Sequence, residues 1–128
     1  MAGLQLKTPH SPTECSAQLA AVADALYAIG GKWKLPIIVA LSGGNKRFNE
    51  LQRVVEGISA KVLSNELKDM ELNGFIKRNV FTGTPVLVEY ELSEYSSTLD
   101  EVLRSLGEWG IMHRKVTKEK MKKIVKAV

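Results

Sequence analysis

Residues 57–92, GISAKVLSNELKDMELNGFIKRNVFTGTPVLVEYEL, decide how this chain is read. At about 100° per residue, Leu63, Leu67 and Met70 share one helical stripe, while Lys61, Asn65 and Lys68 fall nearly opposite, with Ser64 on the flank. The outward face therefore carries donors and positive charge. Ser59 is placed to cap the helix, because its hydroxyl can accept from an otherwise unpaired backbone N–H two or three residues on. Asn73-Gly74 closes it, glycine being suited to the left-handed residue that ends a helix. Residues 75–82 are rich in β-formers, and Val86, Val88, Tyr90 and Leu92 alternate with Leu87, Glu89 and Glu91 in the period of a half-buried strand. Thr82-Gly83-Thr84-Pro85 joins the two segments, and Pro85 marks the turn because it cannot lie in a central ladder.

A helix with a cationic outer face followed at once by a hairpin is the reading end of a winged helix. The flanking sequence supplies the remaining helices. Leu19, Val22, Leu26 and Ile29 form an apolar stripe over residues 16–29, and Gly30-Gly31 ends it as a hinge. A second helix is expected over residues 34–41, with Pro36 tolerated in its first turn, and Ser42-Gly43-Gly44-Asn45 terminates it. Lys46 to Phe48 reads as a short strand, and Asn49 as the cap of a third helix ending at Val54. After the hairpin, Ser93 or Ser96 can cap a long helix whose stripe is Leu99, Val102, Leu103, Leu106 and Trp109. The expected fold class is α+β, mainly α: a winged helix-turn-helix with additional N- and C-terminal dimerisation helices. Residues 1–14, with Pro9 and Pro12, read as a flexible arm, and residues 15–128 as a single domain for DNA binding and dimerisation.

The terminal helices carry more apolar surface than a three-helix core plus hairpin needs, and such excess marks a partner surface. The expected interface of a homodimer comprises Leu19, Val22, Leu26, Leu99, Leu103, Leu106 and Trp109. Charge is informative by its place. The net charge is +4, but residues 112–128 hold seven Lys or Arg against one Glu, and the rest of the chain has eleven basic and thirteen acidic residues. The basic tail can be drawn to phosphate or can be one face of a solvated helix. Met112, Val116, Met121, Ile124 and Val128 recur near helical spacing and favour the helix.

No apolar run approaches the roughly 18 residues that span a bilayer, and the first twelve residues lack the apolar centre of a secretory signal, so a cytoplasmic protein without a membrane partner is expected. One cysteine excludes an internal disulfide framework, and two histidines, His10 and His113, give no evident metal site. Neither a nucleophile paired with a base, nor a phosphate-cradling glycine loop, nor a convincing carboxylate pair is present. An enzyme is not expected, and no cofactor is implied.

Several spaced motifs bring the chain to a known family. Cys15, Ile29-Gly30-Gly31-Lys32-Trp33, Arg47-Phe48-Asn49-Glu50-Leu51, Gly57-Ile58-Ser59, Leu63 to Leu67, Gly74-Phe75, Arg78, Val88-Glu89-Tyr90 with Leu92, and Trp109-Gly110 occur in order. The chain resembles the HxlR-type transcriptional regulators, a branch of winged helix-turn-helix proteins related to the MarR group. It differs from their pattern at Ser16, where proline commonly follows the cysteine, at Val86-Leu87, where Pro-Arg is frequent, and at Ser96, where glycine is usual. The resemblance implies a cytoplasmic homodimer that binds palindromic double-stranded operator DNA, with residues 59–68 as the recognition helix, Arg47 and Phe48 opening the preceding element, and residues 78–86 as the wing.

Side-chain chemistry then assigns roles. Asn65 can read adenine and Lys61 or Lys68 guanine, Ser59 and Ser64 suit phosphate or adaptable contacts, and Arg47 and Arg78 suit phosphates. The plainer alternative has Arg78 and Lys77 solvating the hairpin and Lys68 pairing with Glu66 or Glu71. A different class of protein also fits: a winged-helix module that binds another protein, which would tolerate loss of Lys61 and Arg78. Cys15, placed just before the first expected helix, is a candidate sensor of an oxidant or electrophile because helix-end N–H groups favour a thiolate; some HxlR-type relatives use a cysteine there. Its plain role is a small residue in the dimer interface. A small-molecule or oxidant effector is compatible with either.

Overall fold

Apolar spacing, caps and turn residues resolve into five α-helices and one hairpin in a computed structural model that describes residues 12–127. Helix α1 spans Pro12–Ile29, α2 Lys34–Ser42, α3 Phe48–Val54 and α4 Ala60–Leu72. Strands β1, Ile76–Phe81, and β2, Leu87–Leu92, follow, then a 3-10 turn at Glu94–Leu99 and α5 at Asp100–Ala127. The strands pair antiparallel in a register running from Ile76 opposite Leu92 to Phe81 opposite Leu87.

The chain divides after Leu92 into two compact units. The first holds the apolar core. Ile37, Ile38 and Leu41 of α2, Leu51 of α3, Leu63, Leu67 and Met70 of α4, Val55 and Ile58 between helices, and Phe75 and Ile76 at the start of the hairpin are all buried. The turn between α3 and α4 depends on Gly57, whose φ of 84° suits a residue without Cβ. The end of α4 is a Schellman motif: Phe75 N–H donates to Met70 C=O and Gly74 N–H to Glu71 C=O, both at 3.0 Å, with Gly74 at φ 83°. This closure turns the chain straight from α4 into β1. The loop after α2 is fastened to β2 by paired backbone bonds between Lys46 and Tyr90, at 3.1 and 2.7 Å. Asn45 Nδ2 adds bonds to Glu89 and Glu91 at 3.1 and 3.2 Å.

The structure corrects several boundaries. Helix α1 starts at Pro12, ahead of the expected Ser16, because proline in a first turn forfeits no helical hydrogen bond. Cys15 therefore lies inside the first turn, and residues 12–14 of the expected arm are helical; residues 1–11 lie outside the described residues. The short strand expected at Lys46 to Phe48 is a single bridge at Lys46. Helix α3 is capped at Arg47, whereas Asn49 was the expected cap. Arg47 N–H donates to Glu50 Oε1 at 3.0 Å, so the carboxylate three residues on reaches back to the helix start. In the second unit, Ser93 caps the 3-10 turn by accepting from Ser96 N–H at 3.3 Å, and Leu99 belongs to that turn and not to the long helix. The expected long helix and basic tail are one element, the 28-residue α5, none of whose residues is buried.

Candidate nucleic-acid interface

Helix α4 presents the face its sequence writes. Leu63, Leu67 and Met70 point into the core, Lys61, Asn65 and Lys68 are exposed, and Ser64 is half-buried on the flank. Lys61, Asn65 and Lys68 have neither an ion pair nor a side-chain hydrogen bond among the described residues. Their donors are open to solvent. Ser59 accepts from Val62 N–H at 3.2 Å, so its oxygen is engaged in capping and only the hydroxyl hydrogen is left to donate outward. The plainer pairing of Lys68 with Glu66 does not form. Glu66 faces Lys34 instead.

Lys34, the first residue of α2, places its Nζ 3.0 Å from Glu66 Oε2 and 3.1 Å from Asp69 Oδ2 on α4. The lysine side chain is 14% exposed and Glu66 24%. Burial alone would lower the lysine pKa, but the close carboxylates of Glu66 and Asp69 outweigh it and hold the ammonium above its ordinary 10.5. Nothing in the local sequence announced this pair, since its members are more than thirty residues apart.

Arg47 and Arg78 are exposed, Arg47 at the start of α3 and Arg78 on β1 opposite Tyr90. Arg47 opens onto a polar groove of about 610 Å³ lined by Asn45, Asn49, Glu50, Arg53 and Glu89. Sequence reasoning missed Arg53. The signal was available, because residue 53 lies one helical turn beyond Asn49 and Glu50 on α3. The wing tip, residues 82–86, carries no charged side chain, so the cationic groups of the hairpin are confined to Lys77 and Arg78 on β1.

The expected sensor and most of the expected interface residues are solvent-facing. Cys15 is exposed on α1. Leu19, Val22 and Leu26 form an exposed stripe on the same helix, and Leu26 remains 62% accessible. Leu106 and Trp109 are exposed on α5, with Trp109 58% accessible, while Leu99 and Leu103 are half-buried. Trp109 stacks on His113 at 4.7 Å, both lying within α5. Trp33 is half-buried and lines an apolar groove of about 690 Å³ with Val39 and Val54, with the Lys32 ammonium 4.8 Å from its ring centre. Among the described residues no cluster of His, Cys, Asp or Glu is suited to a metal ion. No helix among them is long and apolar enough to cross a membrane.

A helix, a glycine turn, a second helix with open donors and a hairpin are the parts of a winged helix-turn-helix. Residues 28–119 match the family model described as HxlR-like helix-turn-helix. The chain belongs to the HxlR-like family. One relative, the uncharacterized HTH-type transcriptional regulator YtcD of Bacillus subtilis, is 44% identical over 92 residues, 72% of this chain and 73% of YtcD. The crystal structure of YtcD superposes with a TM-score of 0.68 at 39% identity, covering 83% of this chain and 99% of that one. A MarR-family regulator from Enterococcus faecalis V583 also gives 0.68, at 34% identity over 88% and 97% of the two chains. The redox regulator HypR in its reduced form gives 0.71 at 35% identity over 77% and 98%. This HxlR-like chain is therefore a winged helix-turn-helix transcriptional regulator, and its relatives are regulators, not enzymes.

Proposed function

We propose that the protein is a cytoplasmic homodimer that binds a palindromic double-stranded operator through α4 of each protomer and represses adjacent genes. The observation that carries this reading is the exposed face of Lys61, Asn65 and Lys68, whose donors are left open while every apolar residue of the same helix's inner stripe is buried. In a helix-turn-helix the second helix enters the major groove while neighbouring elements grip the backbone. In this reading Asn65 reads adenine and Lys61 or Lys68 guanine, Arg47 and Arg78 hold phosphates, and Ser59 and Ser64 make phosphate or adaptable contacts. Selection of genomic fragments with the purified full chain, followed by salt-titrated shift assays, tests the reading. A selected palindrome is the expected result. Binding that is insensitive to both salt and DNA sequence would overturn it.

Regulation is proposed to pass through Cys15. The likeness to a protein described as a redox regulator and the exposure of the thiol support this reading. Two Cys15 thiols, one from each protomer, would lose two electrons and two protons to an oxidant such as diamide and form one intersubunit disulfide. Treatment with diamide should produce a reducible dimer on a gel together with altered operator affinity. Cys15→Ser should abolish both effects, and an unchanged response in that variant would remove the sensor role.

A further inference from the structure

We infer that Lys34 is a positioning residue for DNA reading: its forked ion pair to Glu66 and Asp69 fixes the rotation of α4 about its own axis, and so the aim of Lys61, Asn65 and Lys68. The inference rests on the DNA-reading role proposed for α4.

Geometry gives such a tether a role beside the packed inner stripe. Leu63, Leu67 and Met70 pack the inner side of α4, and an apolar stripe is non-directional, so it resists withdrawal of the helix more than a small roll. Side-chain tips lie about 5–6 Å from a helix axis, so a roll of roughly 20° moves them by about 2 Å. Hydrogen bonds to base edges operate within a few tenths of an ångström of 2.9 Å, and that displacement removes them. Glu66 and Asp69 stand three residues apart on one flank of α4, between the inner stripe and the outward face. A single ammonium held 3.0 and 3.1 Å from the two carboxylates spans adjacent turns and opposes rotation in either sense.

Local chemistry does not explain a lysine here. Lys34 is the first residue of α2, where the helix dipole disfavours a cation, and the preceding Trp33 supplies no side-chain cap. A residue of the wrong sign at a helix start is the kind of local conflict that tertiary function resolves. Burial raises the stakes, because Glu66 Oε2 is withdrawn from solvent and Lys34 is its countercharge.

The test compares the full-length wild type with Lys34→Met and Lys34→Arg on the selected duplex and on the same duplex with scrambled half-sites. Lys34→Met should lose about tenfold of the preference for the selected duplex, as expected when a base contact is misaligned, while affinity for the scrambled duplex and the salt slope stay unchanged. Lys34→Arg should restore most of the preference, since its fork can serve both carboxylates. If Lys34→Met does not fold, Glu66→Gln and Asp69→Asn carry the same expectation. Undiminished preference in the neutral variants, or an equal loss on both duplexes with a shallower salt slope, overturns the positioning role. A wild type that prefers no duplex would instead sink the DNA-reading proposal itself.

Discussion

Single side chains in this regulator divide into those that build α4 and those that its outer face leaves exposed, the proposed DNA readers. Ser59 belongs to the first group, and Ser59→Ala should cost about 1 kcal/mol of stability through loss of its bond to Val62 N–H, read as a lower urea midpoint at unchanged slope. Lys61 and Asn65 belong to the second. Replacing either with alanine should weaken a selected operator by about 1–3 kcal/mol and relax preference at one base position. Arg47→Ala or Arg78→Ala should weaken all sequences alike and flatten the salt slope by roughly one unit. Equal behaviour of the two variant classes on every duplex would erase the division. Lys34 adds a pH signature. Its folded-state pKa lies above the ordinary 10.5, so the ion pair's contribution is whole below the unfolded value and disappears as pH rises through the folded one. Stability measured by denaturation should hold from neutral pH to about 10 and then fall more steeply in the wild type than in Lys34→Met.

At the scale of elements, legibility followed how local the determining interactions are. The limits of α4 were written in Ser59, Asn73 and Gly74, because a cap bond and a left-handed glycine act within a few residues. The strands were legible from β-branched residues and the turn at Gly83-Thr84-Pro85, although β2 is half-buried along its whole length and lacks the clean alternation its sequence suggests. The start of α3 was misplaced because the effective bond comes from Glu50 downstream and not from Asn49 itself. The start of α1 was misplaced because Pro12 was read as part of a flexible arm, whereas proline suits the first turn of a helix. Gly74→Ala is expected to destabilise the junction between α4 and β1 by about 1 kcal/mol, since φ 83° strains a residue bearing Cβ. Thermal unfolding checks it.

For the whole molecule, the exposed apolar residues of α1 and α5 are the dominant fact. A 28-residue helix about 42 Å long with no buried residue gains little stability from packing within its own unit. The proposed homodimerisation through the terminal helices would cover Leu19, Val22, Leu26, Leu99, Leu103, Leu106 and Trp109, and obligate homodimer interfaces bury on the order of 2,000 Å² or more. Leu106→Glu with Trp109→Glu should shift the protein to monomer in sedimentation equilibrium and abolish high-affinity operator binding, since a single α4 reads only one half-site. A monomeric wild type, or a dimer untouched by both substitutions, would refute the interface.

Sequence by itself determined the winged helix-turn-helix class, the limits of α4 and which of its side chains face outward, because periodicity, caps and turns are short-range properties of the chain. The family followed from ordered motifs spread over most of its length. Only the tertiary structure decided that Lys34 takes Glu66 and Asp69, that Glu89 joins Arg47 and Arg53 around one groove, and that the loop at Asn45 and Lys46 is fastened to β2. Those contacts join residues distant in sequence, and their existence depends on how the helices pack, which no local pattern encodes.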